Sequence, residues 1–282
     1  MTNSKQYRSS LAAAALLLAS SCAQAQDQLP LELPEKVNQV GLGILGAPDY
    51  YGSTKNEAVV APILRYTWAG TADVQLFGPE LLLNVSQDPA WRAGPLLRVR
   101  ARRDDDVDDE VVKFMRPVAS ATELGVFAAY HLPLDPSRPE HKVVFSADIV
   151  GNTNNVYEGA SGNLRVNYHH PFNQSMMGRS VVGNIGFGLF FASSSFNTKY
   201  FGVTGSDVAL YPALGGQEFR PSPSITSIKI PFSVTTALNR EWLLTVGGSY
   251  EGLLDDAKDS PVVDGRGDST QWIFGVAASY RF

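Results

Sequence analysis

The sequence predicts an all-β fold, a transmembrane antiparallel up-and-down β-barrel. Three observations predict it: period-two alternation in many separate windows, an amphipathic last strand ending on an aromatic residue, and an export-type N-terminus. A strand turns successive side chains to opposite faces. In a membrane barrel one face meets lipid and the other a polar interior, so only every second strand residue need be apolar. The mean hydropathy of −0.08 fits that arrangement. No run after the N-terminus approaches the length of a transmembrane helix, about 20 apolar residues.

From the N-terminus, Lys5 and Arg8 form a positive region, Leu11 to Ala19 is unbroken apolar sequence, and Ala23-Gln24-Ala25 offers a cleavage site. Residues 1–25 are therefore expected to be a cleaved signal peptide for Sec-type export, and 26–36 a periplasmic N-terminal segment. A competing reading makes Cys22, after Ala19-Ser20-Ser21, a lipidated residue. Cleavage after Ala25 removes the single cysteine, and with it disulfide and thiol chemistry. It also removes two bases and no acid from a chain with net charge −5. That balance argues against nucleic acid as a partner, since such binding rests on neutralising phosphates.

The barrel is expected over 37–282, with strands near 37–47, 58–68, 72–77, 80–86, 91–102, 122–132, 142–151, 159–169, 180–193, 224–238, 241–252 and 270–282. That makes twelve. Gly78-Pro79 is either a turn between two strands or a kink in one. If it is a kink, even parity demands another strand, for instance at 198–203, and ten strands also satisfy the pattern. With the turn, the long connections 48–57, 103–121, 194–223 and 253–269 all fall on the outer side, and both termini on the periplasmic side. Trp242 with Tyr250, and Trp272 with Tyr280, bracket two strands as interfacial aromatics do. In the last strand Trp272, Phe274, Val276, Ala278, Tyr280 and Phe282 form the apolar column. Tyr280 and Phe282 are the expected barrel-assembly signal, read by the barrel-assembly machinery.

Four segments in order resemble a known family. Pro48-Asp49-Tyr50-Tyr51-Gly52-Ser53, Tyr200-Phe201-Gly202-Val203, Asp259-Ser260-Pro261-Val262-Val263 and the ending Tyr280-Arg281-Phe282 are similar to motifs of the MipA/OmpV outer-membrane proteins. Ala277 departs from the usual barrel ending, which has Gly five residues before the last aromatic. The resemblance implies a barrel in the bacterial outer membrane, in contact with outer-membrane lipid and lipopolysaccharide. It also implies a scaffold role of the kind described for the family's namesake, which joins a murein lytic transglycosylase to a murein synthase.

On the residues themselves, Arg92, Arg98, Arg100 and Arg102 make a cationic stripe on one strand face. Across the lumen it is expected to meet Glu123, Asp148 and Glu251; Arg165 shares the inward set of its own strand. Such a stripe either pairs into a plug, since unpaired charge in a narrow interior is costly, or attracts anions in a pore. Asp104 to Glu110 is a dense acidic run, expected as a solvated outer loop; it lacks the ligand spacing of a calcium loop. Gly41-Leu42-Gly43-Ile44-Leu45-Gly46 fits a dinucleotide fingerprint in letters only, because a turn rather than a helix follows it. His131, His141, His169 and His170 show no metal-ligand spacing, and Ser194 and Ser195 sit in no nucleophile elbow. No cofactor, metal or catalytic residue is assigned. The expected role is a non-catalytic scaffold or interaction protein of the envelope, with 26–36, Pro133 to His141 and His170 to Arg179 as docking segments. The alternatives are a small diffusion channel or anion-selective pore, and a lipid-modifying enzyme.

Overall fold

The structure is a computed structural model describing residues 37–176 and 179–282, with side chains described outside 173–179. The segments 1–25 and 26–36 lie outside the described residues. Twelve strands close into one barrel in which every strand pairs antiparallel with its sequence neighbours. They are β1 (Gln39–Pro48), β2 (Asn56–Ala69), β3 (Ala72–Phe77), β4 (Glu80–Asn84), β5 (Trp91–Arg100), β6 (Ala121–Pro133), β7 (Lys142–Asn152), β8 (Ala160–Met176), β9 (Arg179–Ala192), β10 (Ser224–Ala237), β11 (Trp242–Leu253) and β12 (Thr270–Arg281). Closure comes from β1 against β12, with Gln39 opposite Arg281 and Gly46 opposite Phe274. A closed sheet has no edge, so every ladder group is satisfied without water, which hydrocarbon requires.

The alternation sorts side chains as expected. Val40, Leu42, Ile44, Leu124, Val126, Ile149, Leu164, Ile185, Phe187, Val246, Phe274 and Val276 all point outward and are exposed. A water-soluble monomer rarely shows an apolar surface this continuous; a bilayer covers it. Trp242 meets Tyr280 across β11 and β12 at 5.5 Å between ring centroids, and Tyr250 meets Trp272 at 5.2 Å near the other end. Trp68 and Trp91 lie at the same rim as Trp242, which places amphipathic rings at the interface.

Gly78-Pro79 is a turn. Phe77 pairs with Glu80, and Gly78 has φ 53°, a conformation glycine takes without a Cβ clash. β3 and β4 are short, with 6 and 5 residues. The segment proposed as an alternative strand, 198–203, instead lies largely within helix α1 (Ser194–Phe201), capped by the Ser193 side chain. Gly41 to Gly46 lie inside β1, so no helix follows them to receive a pyrophosphate.

Two segments depart from expectation. The strands on either side of the β8–β9 connection are longer than expected: β8 runs on to Met176 and β9 begins at Arg179, with His170 opposite Gly183 and Phe172 opposite Val181. Pairing satisfies the backbone there, so the hairpin continues past the predicted rim. The acidic run keeps Asp105, Asp106, Asp108 and Glu110 exposed, as a solvated loop would, but it is anchored to the fold. Val107, Val112 and Met115 beside it are buried in a cluster with Tyr50, Val203, Tyr211 and Val262. A second cluster, including Tyr51, Tyr157, Phe190, Phe196, Phe201, Leu253 and Val263, joins the outer loops to the upper lumen. The outer mouth is thus covered by folded loops, including the short helix α2 (Asp255–Lys258).

Candidate functional site

The interior of the barrel carries the chemistry. Directly beneath the aromatic lid, Arg100 of β5 pairs with Glu123 of β6. It also donates to Tyr51 Oη at 2.7 Å and Ser161 Oγ at 3.1 Å. Its guanidinium lies 4.8 Å from the Phe196 ring centroid, a cation–π arrangement strengthened by desolvation. Tyr157 donates to the same Glu123 oxygen. One turn of the pleat lower, Arg98 donates to Glu80 Oε2 through Nε at 2.9 Å and Nη2 at 2.7 Å, and to Asp148 Oδ1 at 3.1 Å. Asp148 also holds Arg165 and receives the Asn163 amide at 3.1 and 3.2 Å. Nearest the termini, Arg92 pairs with Asp73 and donates to Gln75 Oε1 at 2.9 Å, which Arg65 also reaches at 3.1 Å. On the far wall Lys229 and Glu251 lie 3.3 Å apart, with Ser227 donating to Glu251 at 2.6 Å.

The strand register dictates these layers. Residues two apart in β5 share its inward face, so Arg92, Arg98 and Arg100 sit at successive heights. Arg98 lies directly opposite Glu123 in the ladder, yet each pairs elsewhere, Arg98 with Glu80 and Asp148 and Glu123 with Arg100. Of the predicted interior charges, Arg92, Arg98, Arg100, Glu123, Asp148 and Glu251 are buried in the lumen, and Arg165 is partly so. Arg102 is not among them. β5 ends at Arg100, and Arg102 lies beyond it, 58% exposed, pairing with Asp104 and Asp106 at 2.9 Å each. Arg103 turns inward in its place.

Sequence reading missed Arg65, Asp73, Glu80 and Lys229. Lys229 alternates with the outward Ile228 and Ile230 in β10 and was legible in that pattern. Arg65 shares its inward face with Val59, Ala61 and Ile63, so β2 is apolar on both faces and shows no contrast. Asp73 and Glu80 belong to strands too short to display a period.

A cavity of about 500 Å³ reaches from the end with the termini up through the lower charge layers, lined by Asn38, His131, Lys142 and Phe282 near the rim and by Arg65, Asp73, Arg92, Glu80, Asp148 and Arg165 further in. The lumen is therefore a vestibule on one side and packed on the other. His131, His141, His169 and His170 lie toward the vestibule end, whereas Ser194 and Ser195 begin α1 among the outer loops. These serines and histidines sit at opposite ends of the barrel. Among the described residues no group of three or more His, Cys, Asp or Glu side chains could hold a metal ion.

The rim at the termini is built by short turns and one longer loop. In the β6–β7 connection Leu134 donates to His141 O at 2.8 Å and Ser137 to Asp135 Oδ1 at 2.6 Å. Arg138 crosses to Pro171 O of β8 at 2.6 Å, tying this loop to the long β8–β9 hairpin.

Closure, an apolar girdle and a polar core define the class: a twelve-stranded outer-membrane-type β-barrel. Residues 40–282 match the family model described as MltA-interacting protein MipA, and the chain belongs to that family. It is also similar to Outer membrane protein Omp26La of Vibrio anguillarum, 27% identical over 97 residues; the match spans 34% of this chain and 34% of that relative. Among solved structures, an outer membrane channel from Pseudomonas putida F1 aligns at TM-score 0.46 and 8% identity, covering 91% of this chain and 99% of its own. Pseudomonas putida OprB aligns at TM-score 0.35 and 12% identity, covering 82% and 61%.

Proposed function

We propose that the protein is a non-conducting, non-catalytic scaffold of the bacterial outer membrane whose periplasmic rim docks murein enzymes. The observation that carries this reading is the obstructed lumen. The cavity from the termini ends among the Arg98 and Asp148 charges, and above it Arg100 with Glu123 and the aromatic packing under folded loops fill the outer half. A barrel blocked in this way has its rims as working surfaces. The family description, an MltA-interacting protein, supports a murein lytic transglycosylase as one occupant; a murein synthase would be the second. The Leu134–His141 loop and the β8–β9 hairpin, linked through Arg138, supply a projecting face of the right kind. On this reading residues 1–25 direct export and are removed, 26–36 extend the docking face, and Tyr280 and Phe282 are read during assembly.

Capture of the tagged full chain from outer membranes in mild detergent, followed by immunoblotting for a lytic transglycosylase and a murein synthase, tests the proposal. Both enzymes are expected to enrich over an unrelated barrel, and Arg138→Ala is expected to reduce that enrichment. Recovery of neither enzyme above the control would remove the scaffold reading.

A further inference from the structure

The outer loops enclose an open cavity of about 970 Å³ at the end opposite the termini, separate from the lumen charges. Four cations line it: Arg103, Arg116, Lys199 and Arg220. Two are neutralised. Arg116 Nε donates to Asp207 Oδ2 at 3.1 Å, with its Nη2 on Thr204, and Arg220 sits 2.7 Å from Glu218. Glu218 also accepts from the Gly205 amide at 3.0 Å, and the nearby Asp256 accepts from the Ser222 amide at 2.7 Å.

The other two make no ion pair, although Asp207, already held by Arg116, lies near enough to favour both charges. Arg103 is 7% exposed and makes one side-chain hydrogen bond, Nη1 to Tyr200 O at 3.2 Å, while its buried Nε has no partner. Among the described residues no carboxylate lies within ion-pairing distance of it. Lys199, half-buried on α1, makes neither a hydrogen bond nor an ion pair there. Burial lowers its pKa, and the Arg116 and Arg103 charges lower it further, outweighing Asp207. A buried guanidinium without an ion pair is costly, and here it stands beside a second cation at the wall of an open pocket.

We propose that this basin binds a phosphate monoester carried on a hydroxyl-rich body of about sugar size. The charge match selects the headgroup. A phosphate monoester carries about −1.5 to −2 at neutral pH and can face Arg103 and Lys199 together, neither of which has an ion pair of its own. Guanidinium and ammonium donors suit phosphate oxygens. The volume admits a body larger than bare phosphate, and Ser194 and Thr198 on the wall offer hydroxyl partners. The ester can arrive as a soluble solute or as the phosphorylated headgroup of an outer-leaflet glycolipid.

Calorimetric titration of the detergent-folded full chain tests the site with four probes: glucose 6-phosphate, glucose, and micelles of lipid A with and without its phosphates. Saturable binding of glucose 6-phosphate identifies a soluble source. Binding confined to phosphorylated lipid A identifies the headgroup. In either case Lys199→Gln is expected to weaken binding by about tenfold or more, with Lys199→Arg retaining it. Heat-modifiable gel migration confirms that each variant is folded. Equal response to glucose, no response to either phosphorylated probe, or unchanged affinity in Lys199→Gln would overturn the assignment.

Discussion

Asp148 holds the centre of the barrel together. It accepts from Arg98, Arg165 and Asn163, from strands on either side. Removing one member of such a buried set leaves charge uncompensated, at about 3–5 kcal/mol. Asp148→Asn is expected to lower stability by that order, read as a lower temperature for loss of the compact gel band. Asp109 plays a comparable role in the lid. Burial alone would raise its pKa, but the Arg266 fork and the Val111 and Val112 amides outweigh it and hold the carboxyl below the usual range. A depressed carboxylate stabilises the fold above its unfolded pKa and loses that contribution as pH falls through the folded value. Loops 101–120 and 254–269 are therefore expected to keep their hydrogen-exchange protection at neutral pH and lose it below about pH 4. Asp109→Asn should lose it at neutral pH as well. At this scale the sequence spoke unevenly. The β5 arginines were legible because three of them share one inward face. Their partners Asp73 and Glu80 were not, because pairing across strands depends on register. Arg102 was misplaced because an alternating pattern continues in letters after the strand has ended.

Elements were more legible than contacts. A two-sided environment imposes a period of two, and that period survives in one sequence wherever the inner face is polar. The Gly78-Pro79 turn was open from sequence because a five- or six-residue strand offers few alternations to count. β8 runs past its expected end at 169 because its pairing with β9 continues through His170, Pro171 and Phe172. The outer loops were legible as long connections but not as a packed lid, since the clusters joining Tyr50 to Val262 and Tyr51 to Val263 bring together residues far apart in the chain. In β12 the apolar column ends at Phe282, whose amide donates to Asn38 O at 3.1 Å beside the β1 seam. Deletion of Phe282 is expected to cut the yield of assembled barrel in the outer membrane while leaving synthesis unchanged. A normal yield would count against its role as an assembly signal.

Among the described residues, closure defines three environments: lipid around the wall, a vestibule at the end with the termini, and an outer mouth covered by loops. The wall is fixed by ladder bonds, while the interior is fixed by charge pairs and the mouth by aromatic packing. These are different interactions, so a lesion in the lid need not unfold the wall. The proposed scaffold role belongs to this scale, since it depends on the lumen offering no through-path. The most direct test is conductance across planar bilayers containing the reconstituted full chain. A current indistinguishable from that of the protein-free membrane is expected. Stable unitary conductance steps from the wild-type chain would contradict it.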